Sequence, residues 1–427
     1  MATMDFKKLS RDKSKLLDLD VLKTFSNEFG FQELVSKVLQ LQSHNEQLKN
    51  IIAKRDYKKK EEAPKRREFD FKKCHLQHVL FKVLYLGWNY QGFVCQEDTS
   101  DTIEYHLMEA LLKCCLIESR QQSNYHRCGR TDKGVSSYGQ VISITVRASE
   151  PGKPSLSYCK MLNRLLPKDI RVVAWCPVGE EVSARFDCTK RIYRYFFPKG
   201  NLNLMVMNEA AQHLIGEHDF RNFCKMDVEN GVTNFVRSIR RVDLKEINGS
   251  NEEETGFEMC RLELEGQAFL WHQVRCIMSV LYLVGQKLEL PSIISDLLNV
   301  DVCPRKPQYP LADPLGLNLF ETEYPFNGWI SEESEIAHIT SLLQQQWAVH
   351  EIRATHIKEI LSDLKNYIST PVLHQNAHLL KRETKLYKPL LTRHFCSKYL
   401  CTLYILKLHK KNYSILFIPF FFFKQKI

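Results

Sequence analysis

The densest group of chemically useful side chains lies in the segment 125–135, which reads Tyr-His-Arg-Cys-Gly-Arg-Thr-Asp-Lys-Gly-Val. Its carboxylate, Asp132, has Arg130 and Lys133 as close neighbours and is bounded by Gly129 and Gly134. Cations at this spacing keep a carboxylate ionised, and an ionised carboxylate can act as a nucleophile. Asp132 is therefore the first candidate for a catalytic residue.

The same segment also fits plainer structures. Thr-Asp-Lys-Gly suits a type I turn in which Asp132 caps its own backbone. A phosphate-binding loop of the Walker type is excluded, because Lys133 precedes Gly134 instead of following a glycine spacer. A metal site is excluded, because His126 and Cys128 have no second pair of ligands at usable spacing.

Arg275 is the only formally charged residue in the apolar stretch Ala268–Val284, which we predict to be a long helix. A buried guanidinium without a partner is strongly destabilising. Arg275 therefore needs a carboxylate partner or a place on a helix face that lines a cleft. The alternative is that its side chain extends past apolar neighbours to solvent.

A third group interleaves basic and aromatic residues: Arg185 and Phe186 are followed by the segment 190–197, which reads Lys-Arg-Ile-Tyr-Arg-Tyr-Phe-Phe. On a strand, Tyr193 and Tyr195 share one face, whereas Arg191 and Arg194 lie on different faces. The pattern suits base stacking combined with phosphate contact. It suits the core of an ordinary sheet equally well.

Strands and helices are needed to position these groups. Asp101 and Glu104 have the spacing of a capping box and predict the start of a helix. Strands and helices alternate along the chain, so the fold class is α/β or α+β with mixed sheets. Residue patterns predict strands at 78–86, 140–146, 170–175, 192–197, 235–242 and 257–264, and further helices at 157–166, 208–214 and 268–284.

The amino-terminal part has a different character. The segment 31–52 has heptad spacing, which predicts a two-stranded coiled coil and hence a homodimer, or else an amphipathic helix packed on its own domain. The basic run 54–73 is a nuclear-localisation or RNA-contacting linker, or simply a solvated tether. Two positions of the heptad form the helical stripe. Phe31, Val38, Asn45 and Ile52 occupy one of them, and Leu34, Leu41 and Leu48 occupy the other.

The formal net charge of +10 comes from the two ends of the 427-residue chain. Residues 1–75 contain 18 basic and 12 acidic residues, and residues 371–427 contain 11 basic residues and one acidic residue. The middle of the chain is therefore net acidic. RNA binding would have to depend on local clusters of basic residues and not on the total charge.

Composition also limits the class of protein. The 14 cysteines are scattered without a CxxC pair, which favours reduced thiols in the nucleus or cytoplasm. The charged and polar residues after Met1 argue against a secretory signal peptide. The apolar stretches 268–284 and 414–423 are too short to span a membrane, so no membrane partner is expected.

Three of these segments, in this order, resemble the motifs of the TruA family of tRNA pseudouridine synthases. Cys128–Val135 resembles the catalytic loop, Ser183–Phe186 with Arg191–Tyr195 resembles the second motif, and Gly266–Arg275 resembles the third. Tyr85–Phe93 also resembles a segment of this family. The resemblance covers about residues 76–330.

A second set of segments resembles the eukaryotic branch of that family, which acts at positions 38 and 39 of the tRNA anticodon stem-loop. These segments are Ser123–Arg127, Cys224–Val228 and Lys306–Tyr309.

The resemblance implies roles for individual residues. Asp132 would be the nucleophile and Arg275 its ion-pair partner. Arg130 would enter the RNA stem and help to flip out the target uridine, and Tyr193 would stack on the flipped base. No cofactor and no metal would be needed. We expect further RNA contacts, in a basic cleft, from Arg127, Lys133, Arg185, Arg191, Arg194 and Lys225.

The expected fold is α+β: two α/β halves with mixed antiparallel sheets around an RNA-binding cleft, preceded by a coiled-coil-like helix. The expected activity is isomerisation of uridine to pseudouridine in tRNA, in the nucleus and/or cytoplasm. The alternatives are a catalytically silent RNA-binding protein on the same fold and a synthase for other uridines of tRNA or mRNA. The predicted segments are an N-terminal helix (1–53), a basic linker (54–75), a catalytic-loop half (76–186), a second half (187–330), a helical extension (331–370) and a basic, poorly ordered tail (371–427).

Overall fold

The computed structural model describes residues 47, 69–225, 232–247, 257–367 and 387–396. The chain divides into two compact units, Met1–Phe69 and Asp70–Ile427. Apart from Gln47, the predicted coiled coil lies outside the described residues, as does most of the predicted basic linker and tail.

The described part of the second unit contains nine strands and six α-helices. The strands are β1 (His75–Tyr85), β2 (His126–Arg127), β3 (Ser136–Ala148), β4 (Ile170–Pro177), β5 (Lys190–Pro198), β6 (Gly216–Asp219), β7 (Val236–Glu246), β8 (Met259–Gly266) and β9 (Leu317–Glu323). The helices are α1 (Ile103–Lys113), α2 (Tyr158–Asn163), α3 (Leu204–Gln212), α4 (Gln273–Gly285), α5 (Ile293–Leu298) and α6 (Glu333–Leu364).

These strands form one mixed sheet in the order β4-β1-β3-β9-β5-β8-β7-β6, and β2 pairs with β3. Neighbouring strands are antiparallel except β3 and β9, which pair in parallel through Ser136 with Asn318 and Ser137 with Leu319. The predicted α+β class is confirmed. Because β9 joins β3 to β5, the two predicted halves share a single sheet.

Each half of the sheet has its own hydrophobic core. In the first half, apolar side chains of β1, β3 and β4 pack with α1 and α2, and Phe81, Leu107 and Tyr158 are among the buried residues. In the second half, β5 and β8 pack with α3, α4 and α5. Helix α4 is almost wholly buried, so it is a rigid support for the single arginine that it carries.

Helix α1 begins one residue later than predicted. Its N-cap is Thr102, whose hydroxyl accepts the backbone N–H of Tyr105 at 3.4 Å. Asp101 therefore does not form the predicted capping box. Glu104 instead turns inward, where its carboxylate accepts the backbone N–H of Cys95 at 2.8 Å.

Helix α4 begins at Gln273 instead of at the predicted Ala268. Its preceding residue, His272, is left-handed with φ 63°, a conformation that cannot continue a right-handed helix. The side chain of Gln273 accepts the backbone N–H of Leu270 at 2.7 Å and closes this turn. The residues before α4 therefore form an irregular segment.

Helix α6 has 32 residues and occupies the region predicted as a helical extension. Of its described side chains only Ile339 is buried, and the ring of His350 packs edge-on against Trp88 with 5.1 Å between centroids. None of the described helices combines the length and apolar character needed to cross a membrane.

Candidate active site

The loop between β2 and β3 carries Asp132. Two backbone hydrogen bonds attach it to the turn after β1: the N–H of Phe93 donates to the carbonyl of Thr131, and the N–H of Gly134 donates to the carbonyl of Tyr90, each at 3.1 Å. Gly134 has φ 81°, a conformation that favours glycine. The loop is therefore a fixed turn that holds Asp132 in one place.

The carboxylate of Asp132 contacts three side chains. Its Oδ2 accepts from Nη1 of Arg275 at 3.1 Å and lies 3.3 Å from Nε2 of His272. Its Oδ1 accepts from Nε1 of Trp271 at 3.1 Å. The predicted ion pair between Asp132 and Arg275 is thus confirmed, and it satisfies the lone charge of the apolar helix.

Asp132 is ionised in this environment. Partial burial raises the pKa of its carboxyl, since only 18% of the side chain is exposed. The hydrogen bond and attraction of His272, together with the attraction of Arg275, outweigh that effect, so the pKa lies below its usual value. The site therefore presents a carboxylate at neutral pH, as nucleophilic catalysis requires.

Arg275 is fixed by contacts on both sides. Helix α4 carries it, and its Nε donates to the carbonyl of Ala312 at 2.8 Å while Nη1 reaches Asp132. Only 12% of the Arg275 side chain is exposed. The guanidinium thus links α4, the segment before β9 and the Asp132 loop.

Trp271 and His272 are contacts of Asp132 that the sequence reasoning did not single out. Both lie in the third motif, but it is the irregular start of α4 that brings them to the carboxylate. The indole of Trp271 is itself covered by Lys225, whose Nζ lies 4.4 Å from the ring centroid. In the sequence, these contacts are indicated by two neighbouring side chains with ring N–H groups in the third motif, a few residues before Arg275.

Asp132 faces a cleft of about 1520 Å³. All four predicted catalytic residues line it, and Arg130 and Lys133 are exposed there. Within the part of the chain that the structure describes, no three His, Cys, Asp or Glu side chains group closely enough to hold a metal ion. The predicted RNA-contacting residues that line the cleft are Arg127, Lys133, Arg185, Arg191 and Lys225.

Tyr193 reaches the cleft from β5. Its ring packs edge-to-face on Phe269, with 4.9 Å between centroids, and its hydroxyl lies beside Gly129 of the Asp132 loop. Burial raises the pKa of Tyr193, so the phenol is neutral at physiological pH. It therefore offers an aromatic surface and a neutral hydroxyl close to the carboxylate loop.

Two of the predicted RNA-contacting arginines are engaged within the protein. Nη1 of Arg127 pairs with the buried carboxylate of Glu104 at 2.8 Å. Arg191 is buried and connects the three segments that resemble the family motifs. Its guanidinium donates to the backbone carbonyls of Cys128, Arg185 and Gln267.

Arg194 lies outside the cleft, contrary to the prediction. Its Nε donates to Glu263 at 2.7 Å, and its guanidinium carbon lies 3.3 Å from the ring centroid of Phe320. Alternate residues of a strand face opposite sides of the sheet. Because Tyr193 faces the cleft, its neighbour Arg194 faces away.

Known proteins resemble this chain over most of its length. A family described as tRNA pseudouridine synthase matches residues 210–325. A tRNA pseudouridine(38/39) synthase from Bos taurus is 44% identical over 367 residues, which cover 81% of this chain and 76% of that protein. The corresponding protein of Mus musculus is 42% identical over 407 residues, covering 86% and 84%, and that of Saccharomyces cerevisiae is 38% identical over 325 residues, covering 70% and 71%. At this identity and coverage, and with the ion pair of Asp132 and Arg275 in the cleft, the chain belongs to the TruA family of tRNA pseudouridine synthases.

Proposed function

We propose that this chain isomerises uridine to pseudouridine at positions 38 and 39 of the tRNA anticodon stem-loop, with Asp132 as the nucleophile. The relatives from Bos taurus and Saccharomyces cerevisiae are named for that activity. The observation that carries the chemical part is the ionised carboxylate of Asp132 in a cleft large enough for a nucleotide.

The reaction breaks the bond between N1 and C1′ and joins C5 to C1′, without net oxidation or hydrolysis. In one route a carboxylate oxygen of Asp132 attacks C1′, the N1–C1′ bond breaks, and the uracil leaves with the electron pair on N1. The uracil turns, C5 bonds to C1′ as the carboxylate leaves, and the C5 proton passes to a base. In the glycal route, the C2′ proton is removed as the uracil leaves C1′, and a proton returns to C2′ when C5 bonds to C1′. Both routes need one ionised carboxylate and one base, and Asp132 supplies the carboxylate.

A uridine in a stem must leave the base stack before Asp132 can reach it. Arg130 is exposed on the same loop, two residues before Asp132, and its guanidinium enters the stem where the uridine leaves. The ring of Tyr193 stacks on the flipped uracil. Lys133 and Lys225 are exposed in the cleft and contact the phosphates.

Mapping pseudouridine on tRNA transcripts tests the proposal. Wild-type protein is incubated with unmodified transcripts that carry uridine at 38, at 39 or only elsewhere, and carbodiimide-treated pseudouridines are located by reverse transcription. We expect modification at 38 and 39. Modification confined to other uridines would contradict the proposed positions, and binding without any pseudouridine would favour the silent RNA-binding alternative.

We also propose that the chain is a homodimer that acts in the nucleus and/or cytoplasm. The heptad pattern of 31–52 supports the dimer, and the basic run 54–73 and the scattered cysteines support the location. Deleting residues 1–53 is expected to convert dimers to monomers in analytical ultracentrifugation. An unchanged number of chains per particle would contradict a dimer that depends on the coiled coil.

A further inference from the structure

Phe186 exposes an aromatic ring in the same cleft. The residue lines the cleft, and 71% of its surface is accessible to solvent. Exposed aromatic rings in a nucleic-acid cleft are typical of stacking sites, because every base has a flat π-face. Phe186 follows Arg185 in the second motif, but the roles considered above leave its ring unused.

The backbone at Phe186 is held rigidly. The N–H groups of Phe186 and Asp187 donate to the carbonyl of Ser183 at 3.2 and 3.0 Å, and the carboxylate of Asp187 accepts the N–H of Ser183 at 2.8 Å. The carbonyl of Arg185 accepts from the buried Arg191 at 3.1 Å. A tight turn therefore presents the ring to solvent without local freedom of the backbone, which lowers the entropy lost on binding.

The groups beside the ring suit a nucleotide. The guanidinium carbon of Arg185 lies 5.1 Å from the ring centroid of Phe186, and the imidazole centroid of His126 lies 6.5 Å from it. Arg185 lies over one face of the ring, so a base would stack on the opposite face while the guanidinium contacts its phosphate. These neighbours differ from those of Asp132, which are Trp271, His272 and Arg275.

We propose that Phe186 is a stacking platform for a second, unpaired base of the anticodon stem-loop, separate from the position that receives the target uridine at Asp132. The inference depends on the proposed function and deepens it. The base must be unpaired, because a base within a duplex has both faces covered by its neighbours. The anticodon loop next to positions 38 and 39 supplies such bases, so Phe186 fixes the register of the RNA while Arg185 holds the adjoining phosphate.

The experiment compares the full-length wild type with Phe186→Ala, Phe186→Leu and Phe186→Trp. Binding is measured by fluorescence anisotropy with a tRNA transcript, and stacking by quenching of 2-aminopurine placed in turn at each unpaired position of the loop. We expect Phe186→Ala and Phe186→Leu to raise Kd about tenfold and to remove the quenching at one position. Phe186→Trp keeps the aromatic face and should bind as the wild type does. Met205→Ala, which removes an apolar side chain that is 84% exposed, is the control expected to have no effect.

The other outcomes would overturn either the inference or the proposed function. Unchanged Kd and quenching in Phe186→Ala would overturn the inference, and so would equal binding by the leucine and wild-type proteins, because leucine keeps the apolar volume but has no face for stacking. A change in sedimentation with unchanged RNA binding would mean that the ring covers a protein surface, which also overturns it. A wild type that makes no pseudouridine at 38 or 39 refutes the proposed function instead, whatever the Phe186 variants do.

Discussion

Replacing Asp132 with asparagine is expected to reduce kcat by at least about 10⁴-fold while tRNA binding stays close to that of the wild type. The amide has nearly the shape of the carboxylate but is no nucleophile. Its oxygen can still accept from Arg275, and the one hydrogen bond that its NH2 group cannot accept is that from Trp271. The reaction is followed by the release of tritium from C5 of labelled uridine, since joining C5 to C1′ expels that hydrogen.

Asp313 provides a matched control for this variant. It lines the same cleft, and its carboxylate accepts the backbone N–H of Leu315 at 2.9 Å, a capping bond that an asparagine keeps. Asp313→Asn therefore removes one negative charge from the cleft with little structural change, and we expect it to retain most of the activity. Tritium release by Asp132→Asn above roughly a thousandth of the wild-type rate would contradict the nucleophilic role.

The ion pair at the centre of the site could be predicted because an unpaired buried charge has a large energetic cost, and the residues that reveal it are neighbours in the sequence. A single arginine in an apolar helix has to be satisfied, and the resemblance to the TruA family supplied Asp132 as the partner. Helical spacing and the cost of a buried charge are both readable from a short segment. The structure places the two groups 3.1 Å apart.

The other contacts of Asp132 depend on packing between distant segments. The apolar residues from Ala268 onward predict a helix that starts there. The left-handed conformation of His272 delays the start of the helix to Gln273. Strand alternation correctly separated the two faces of β5, but it cannot tell which face borders the cleft. That choice is made by the pairing of β5 between β8 and β9, and it turns Tyr193 toward the cleft and Arg194 toward Glu263.

Arg275→Gln is expected to lower kcat by about 100-fold at neutral pH and to shift the acid limb of the kcat/KM profile to higher pH. In the wild type, burial raises the pKa of Asp132, and His272 and Arg275 together bring it below its usual value. Without the guanidinium, the effect of burial is less opposed, so the pKa of the carboxyl rises. A smaller fraction of Asp132 is then ionised at acidic pH, and the deficit of the variant narrows as the pH increases.

The pH profile separates this electrostatic effect from a loss of packing. Arg275 also donates from Nε to the carbonyl of Ala312, so its replacement removes a structural bond as well. Ser279→Ala is the matched control, because the Ser279 hydroxyl donates to the carbonyl of Arg275 at 2.9 Å and does not touch Asp132. We expect that control to keep the wild-type pH profile. If Arg275→Gln lost the same factor of activity at every pH, Arg275 would not be what lowers the pKa of Asp132, because a variant in which that pKa is unchanged keeps the shape of the wild-type pH profile.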